Sequence, residues 1–333
     1  MDRLELNGAE RLEISQLLIE VADQYRSFDL DDFLDRATVL AHDLPLRLRL
    51  VLNSFRLERL SGLLVVAGHD VDQDRLGPTP SHWRERQDPS PALREELLLV
   101  LYATLLGDPF GWATQQDGKL IHDVLPIRGH EHEQLGSSSK ALLTWHTEDA
   151  FHPLRSDHLL FACLRNPYSA ATTVGSVDDL ELSDKTKAVL FEERFMICPD
   201  ESHRPYNNSS PDDTDFAGIE DMQRNPDRVA VLFGDPAQPY IRADPYFMSI
   251  GEGDDEARLA FDELVTAMDG QMYDVELSAG DYCFLDNFRV VHGRKPFKAR
   301  HDGTDRWLKR ISVTSDLRKS RAARRSSSAR AIN

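Results

Sequence analysis

Apolar residues recur at three- and four-residue spacing in "AERLEISQLLIEVADQY" and "LDDFLDRATVLAHDL", which predicts helices from residue 9 to about 56. "LSGLLVVAG" then reads as a strand that leaves into a proline-containing loop over residues 71–90. "PALREELLLVLYATLLG", with Pro at its start and Gly at its end, predicts a strong amphipathic helix. Beyond Trp112 the pattern changes to short apolar or alternating runs separated by turn residues. These are "KALLTWHTE", "HLLFACLRN", "ATTVGSV", "RVAVLFG", "PYIRADPYF", "DYCFLDNFRVVHG" and "RWLKRISVT". Such spacing marks an antiparallel sandwich or barrel. Two helical pieces interrupt it, near 183–193 and 254–270, and residues 199–226 form a long polar insertion. Insertions of that length are functional lids or disordered segments. The expected architecture is mainly β with added α: a helical N-terminal layer over 1–110 against a β core over 111–317.

Composition narrows the function. A chain of 333 residues is long enough for one large domain or two small ones, and the expectation is a single domain over 1–317. A net charge of −18 argues against nucleic acid as a partner, because phosphate binding needs a basic footprint. The last sixteen residues, "RKSRAARRSSSARAIN", carry six basic groups and no acid, and without an apolar pattern they are expected to be a disordered tail. The acidic body that remains would attract a small cationic ligand. No apolar run approaches a membrane span, and "MDRLELNGAERLEIS" lacks the basic-then-apolar order of a secretion signal, so a cytoplasmic protein is expected. Cys163, Cys198 and Cys283 are too widely spaced for a CxxC metal site and read as reduced core residues.

Candidate chemistry begins in "LTWHTEDAF". In an extended chain His146 and Glu148, two positions apart, reach to the same side. Twelve histidines and 57 acids make one His-x-acid pair an expected coincidence, so the pair alone carries little. The second half lies in "LDNFRVVHGRKPF", where His292 ends an apolar strand, and "DGTDRWLKR" then supplies Arg306 and Arg310. Two imidazoles and one carboxylate on one face of a metal leave three open positions, as in the facial triad of non-heme Fe(II) oxygenases. The open positions admit a bidentate oxoacid and O2, and an arginine makes a forked pair with the distal carboxylate of that oxoacid. Two His and one Glu also serve hydrolytic zinc sites, but those usually take both His from one HExxH helix, which is absent here. A zinc hydrolase and a non-catalytic jelly-roll binding protein stay open as alternatives.

The stretches "LTWHTEDAFHPLRSDHLLFACLRNP", "ATTVGSV", "LDNFRVVHGRKPF" and "DGTDRWLKR" resemble the clavaminate-synthase-like group of 2-oxoglutarate-dependent oxygenases over about residues 90–320. Within it they are most similar to enzymes that hydroxylate free amino acids, especially the arginine β-hydroxylases of antibiotic biosynthesis. The resemblance implies a double-stranded β-helix (jelly-roll) core. It implies iron at His146, Glu148 and His292, with Thr173 and Arg306 on the 2-oxoglutarate carboxylate. Arg310 matches a second arginine close to carboxylate groups, and with Glu148 it also faces the substrate.

By the same resemblance Gln115, in "GWATQQDGKL", holds the substrate's α-amino end, and Ser137 of "LGSSS" lines the pocket. Asp244 in "YIRADPYFM" matches a guanidinium-binding acid; its bland alternative is a turn residue before Pro245. The arginine hydroxylases carry a second acid where this chain has Tyr246, which makes lysine or another polar side chain a competitor. Asp212, Asp213 and Asp215 of the polar insertion could also face a cation. The implied reaction is hydroxylation of a free basic L-amino acid, arginine ahead of lysine, at C3, with succinate and CO2 as coproducts. A desaturase or cyclase of the same family begins from the same hydrogen abstraction.

Overall fold

A computed structural model of the protein describes residues 1–209 and 216–333. Asp212, Asp213 and Asp215 lie outside the described residues.

The N-terminal layer contains the helices Gly8–Gln24, Asp31–Leu40 and Leu46–Arg56, followed by Leu93–Leu106. The first is started by Asn7, whose side chain accepts from the Glu10 amide while the Glu10 carboxylate accepts from the Asn7 amide. This capping box satisfies two amides that a helix start otherwise leaves free. Helix Leu93–Leu106 departs from the amphipathic expectation: residues 97–103 are at most 2% exposed. It is wrapped by the other three helices on one side and lies on the strands His158–Arg165 and Trp307–Thr314 on the other. A helix buried all round is apolar all round.

Those strands belong to an eight-stranded sheet. Its order is Asp2–Glu5, Leu63–Ala67, Tyr282–Asp286, His158–Arg165, Trp307–Thr314, Asp108–Trp112 and Ala331–Ile332, with Ile121–Val124 also paired to Trp307–Thr314. The pairings are antiparallel except at the two ends, where Asp2–Glu5 and Ala331–Ile332 run parallel to their neighbours. Alternation serves two cores at once. In His158–Arg165, Leu160 and Ala162 pack toward the helices, while Leu159, Phe161 and Cys163 pack toward a second sheet. Both faces being covered explains why "HLLFACLR" reads as a continuous apolar run.

The second sheet has four strands, ordered Tyr273–Val275, Thr172–Ser176, Val290–Arg294 and Leu143–His146. Helix Asp255–Gln271 packs on it so closely that a Cβ on Gly175 would meet the Met268 and Met272 sulfurs at 2.5 and 2.7 Å. Cys163 and Cys283 are buried and unpaired between the sheets, whereas Cys198 is only half-buried. Behind strand Trp307–Thr314, Lys309 is buried 2.8 Å from Glu96 and 2.6 Å from Asp123. The Glu96 pair ties to the helical layer the strand whose opposite face carries Arg310, and the Asp123 pair ties it to the neighbouring strand Ile121–Val124.

The expectation of a disordered tail is corrected. Residues 317–323 form a 3-10 helix, and Ala331–Ile332 pairs with Gly111–Trp112. Ile332 is 1% exposed, packed with Phe110, Trp112 and Leu317. Arg324 is also buried, donating to the carbonyls of Leu317, Ser326, Ser327 and Ala329. A single apolar residue leaves no periodic signal, and an arginine is buried where carbonyls take its donors. The first part of the polar insertion is docked as well: Asn208 is 3% exposed, donates to the Thr114 carbonyl and accepts from the Asp117 amide. Among the described residues no helix is long and apolar enough to cross a membrane.

Candidate active site

Strands Leu143–His146 and Val290–Arg294 pair so that His146 stands directly opposite His292. Their rings lie 4.6 Å apart, centroid to centroid. Glu148 follows just past the strand end, where the Asn287 side chain clamps its backbone by accepting from the Glu148 amide at 2.9 Å and donating to its carbonyl at 3.1 Å. The Glu148 Oε2 atom is thereby placed 3.3 Å from His292 Nε2 and 3.7 Å from His146 Nε2. His146 Nδ1 donates to the Thr144 carbonyl at 2.9 Å, which turns Nε2 toward Glu148 and makes it the nitrogen available to a metal.

This donor set fits a divalent first-row ion. Bonds of about 2.1 Å put neighbouring donors about 3 Å apart, close to the spacing observed, and two imidazoles with one carboxylate suit Fe(II). The electrostatics favour positive charge there. Burial opposes a charged His146, yet its contact with Glu148 and the nearby Asp244 outweigh burial and raise it to about 9. Burial likewise opposes ionised Glu148, but Arg310 and the two histidines hold it well below the usual carboxylate range.

Two arginines project from strand Trp307–Thr314 and the residue before it. Arg310 contacts Glu148 Oε1 through Nη1, while its Nη2 donates to Gln115 Oε1 at 3.2 Å and to His122 Nδ1 at 2.8 Å. Arg306 is 7% exposed and donates to the Thr172 hydroxyl at 3.1 Å. Its Nε has no partner among the described residues, and burial lowers it to about 10. A buried guanidinium without a counter-ion is costly, and a carboxylate at this end of the cavity would relieve that cost.

The structure corrects one threonine. Thr172 lines the cavity and meets Arg306, whereas Thr173, next in the strand, stands beside Gly293 on the other face. Side chains alternate along a strand, so a one-residue choice between adjacent threonines reverses the face.

The remaining expected residues divide between two adjoining recesses. Asp244 and the rim residue Tyr246 line the main cavity. One Asp244 oxygen accepts from the Tyr246 and Phe247 amides, as a turn residue would, and burial raises the carboxyl to about 6. Gln115 and Ser137 line the second recess with His122 and Arg310. Gln116 borders the same recess, but its side-chain amide is held by the backbone of Asp123.

Sequence reasoning missed several residues. Asn287 sat unremarked inside "LDNFRVV", and Asp200 opens the polar insertion; Asp200 reaches the same cavity as Asp244. Buried Asp149 and His203, with half-buried Asp200, also bring metal-type donors together. Trp112, Gln115 and Ser202 already donate to its carboxylates, so it needs no ion.

Comparison with known proteins identifies the chain. Residues 95–312 match the taurine catabolism dioxygenase TauD, TfdA family. The protein belongs to that family. This TauD/TfdA dioxygenase is 45% identical to the enduracididine beta-hydroxylase of Streptomyces hygroscopicus over 99% of each chain. It is 46% identical to the L-ornithine/L-arginine 3-hydroxylase of Catenulispora acidiphila over 97% of each. The crystal structure of the non-heme iron oxygenase OrfP in complex with Fe, succinate and (3S)-hydroxy-L-Arg superposes on the whole chain with a TM-score of 0.96 and 49% identity, each chain covered completely. A zinc hydrolase or a non-catalytic binding protein does not fit a TauD/TfdA dioxygenase.

Proposed function

We propose that the protein is an Fe(II)/2-oxoglutarate-dependent hydroxylase of free L-arginine, acting at C3. One juxtaposition carries this reading. A single cavity joins the His146–Glu148–His292 triad, the unpaired Arg306, and two carboxylates, Asp244 and Asp200. Of the relatives named above, one is a beta-hydroxylase of enduracididine and another a 3-hydroxylase of L-ornithine and L-arginine. We read the eight- and four-stranded sheets as the two halves of a double-stranded β-helix, and residues 1–317, with the tail packed on them through Ile332, as one domain that works in the cytoplasm, where unpaired cysteines stay reduced.

His146, Glu148 and His292 would hold the iron. When bound, iron supplies O2 activation coupled to decarboxylation of 2-oxoglutarate to succinate and CO2. The protein's part is placement. Arg306, held by Thr172, pairs with the distal carboxylate of 2-oxoglutarate. Asp244 and Asp200 face the guanidinium, so Asp200 provides the second acid that Tyr246 does not. Arg310 and Gln115, with Glu148 and the Ser137 turn, receive the α-carboxylate and α-ammonium. Holding the substrate at both ends leaves its C3 hydrogen presented to the metal, and fixed geometry of this kind lowers the barrier by removing orientational freedom in advance.

The test is a screen of the twenty free amino acids with Fe(II), 2-oxoglutarate and O2, following succinate and product mass. Arginine should give a product one oxygen atom heavier, substituted at C3. Better turnover of asparagine than of arginine or lysine would overturn the substrate assignment.

A further inference from the structure

Asp149, the residue after Glu148, is a buried non-glycine in the left-handed region, with φ 50°. Such backbone is held only where its surroundings over-determine it. Here they do: Asp149 Oδ2 accepts from the Trp112 indole at 2.6 Å, and Oδ1 accepts from His203 Nε2 at 3.1 Å and from Gln115 Nε2 at 3.4 Å.

His203 is fully buried although it lies in the polar insertion. Its Nδ1 accepts from the Thr114 hydroxyl at 2.7 Å, and its ring packs against Phe151 and Trp112. Two residues of the same turn, Asp200 and Ser202, line the substrate cavity, and the Ser202 hydroxyl contacts the Gln115 amide. Gln115 in turn reaches Arg310, and Arg310 reaches Glu148. A ring of contacts thus runs from Asp149 through His203, Gln115 and Arg310 back to Glu148.

We propose that His203 is a positioning residue for the amino-acid substrate. Its burial on Asp149 and Thr114 seats Asp200 in the cavity wall and fixes the orientation of the Gln115 amide. The inference rests on the functional reading above. It assigns His203 no contact with substrate, iron or 2-oxoglutarate. Its loss therefore disturbs the amino acid rather than 2-oxoglutarate, because Arg306 and Thr172, which contact each other at the other end of the cavity, do not contact this ring.

His203→Phe keeps an aromatic ring between Phe151 and Trp112 but removes both hydrogen bonds. Losing the buried bond to the Asp149 carboxylate together with the Thr114 bond should raise the arginine KM about tenfold or more. Succinate formed per hydroxyarginine should rise, the 2-oxoglutarate KM should stay unchanged, and amide hydrogen exchange at residues 113–118 should quicken. In a Gln115→Ala background the same substitution should add little to the arginine KM, because coupled residues are non-additive. An unchanged arginine KM, an equal rise in both KM values, or full additivity overturns the proposal.

If His203→Phe does not fold, Thr114→Val removes only the Nδ1 partner and must show a smaller rise of the same selectivity; a wild-type arginine KM in that variant overturns the proposal. If the wild-type enzyme turns over none of the twenty amino acids, the functional reading fails first. The exchange measurement then still judges His203, and unchanged exchange at 113–118 rejects it.

Discussion

His146 and His292 occupy directly opposed positions on neighbouring antiparallel strands, with the Glu148 carboxylate 3.7 and 3.3 Å from their Nε2 atoms. Cross-strand pairing sets the two imidazoles side by side, and the Asn287 clamp brings in the third donor. His146→Ala or His292→Ala should abolish turnover and iron binding while leaving the melting temperature nearly unchanged. Asn287→Ala, which touches no ligand, should weaken iron about 10–100-fold, as loss of outer-shell support does. Iron retained at full stoichiometry in His292→Ala, measured by metal analysis, would refute the site.

Arg306 lies buried with no carboxylate in ion-pair range among the described residues. Arg306→Met should raise the 2-oxoglutarate KM steeply, because breaking a desolvated charge pair costs about 3–5 kcal/mol. The same variant should melt no lower than wild type, since it removes an uncompensated charge from the free protein. Thr172→Val should raise the 2-oxoglutarate KM more than Thr173→Val does; the reverse order would restore Thr173 to the site.

Asp244→Asn and Asp200→Asn should each weaken arginine binding by about 1.5–3 kcal/mol, the range for a hydrogen bond to a charged group. Both should spare iron and 2-oxoglutarate, and uncoupled succinate formation should persist. Calorimetric arginine titration checks this, and equal affinity in Asp200→Asn would leave Asp244 as the sole acid.

His69 and His158 are held neutral: burial is the main cause, and it lowers each to about 4 from 6.5. His69 Nδ1 donates to the Gly280 carbonyl at 2.8 Å and Nε2 accepts from the Tyr102 hydroxyl at 2.6 Å, a pattern that only the neutral ring satisfies. The native state therefore binds fewer protons than the unfolded chain between pH 6.5 and 4. Their contribution is complete above pH 6.5 and falls away as pH drops through 4, by roughly 3 kcal/mol for each histidine. Urea melts at pH 7 and pH 5 should show this loss, and His158→Gln should reduce it; a flat profile would contradict the burial argument.

Ile332 closes the Phe110–Trp112–Leu317 cluster, and Trp112 donates to Asp149. Ile332→Ala should destabilise by about 2–5 kcal/mol, visible as a lower melting temperature. A tail free in solution would show no change.

By itself the sequence determined the helical layer, the strand-rich core and the metal-type donors. Helical spacing, strand alternation and the i, i+2 placement of His146 and Glu148 are properties of a single local segment, readable without neighbours. The iron and 2-oxoglutarate chemistry followed from residue types whose donor atoms suit it. Only the tertiary structure decided which of two adjacent threonines faces the cavity, because strand pairing and not composition fixes the face. It alone brought Asn287 to Glu148 across 139 positions and His203 to Asp149 across 54. It also folded the basic tail against Trp112. Those contacts join polar side chains or lone apolar ones that leave no periodic trace, and burial with satisfied partners, which arises only when distant segments meet, is what gives them their roles.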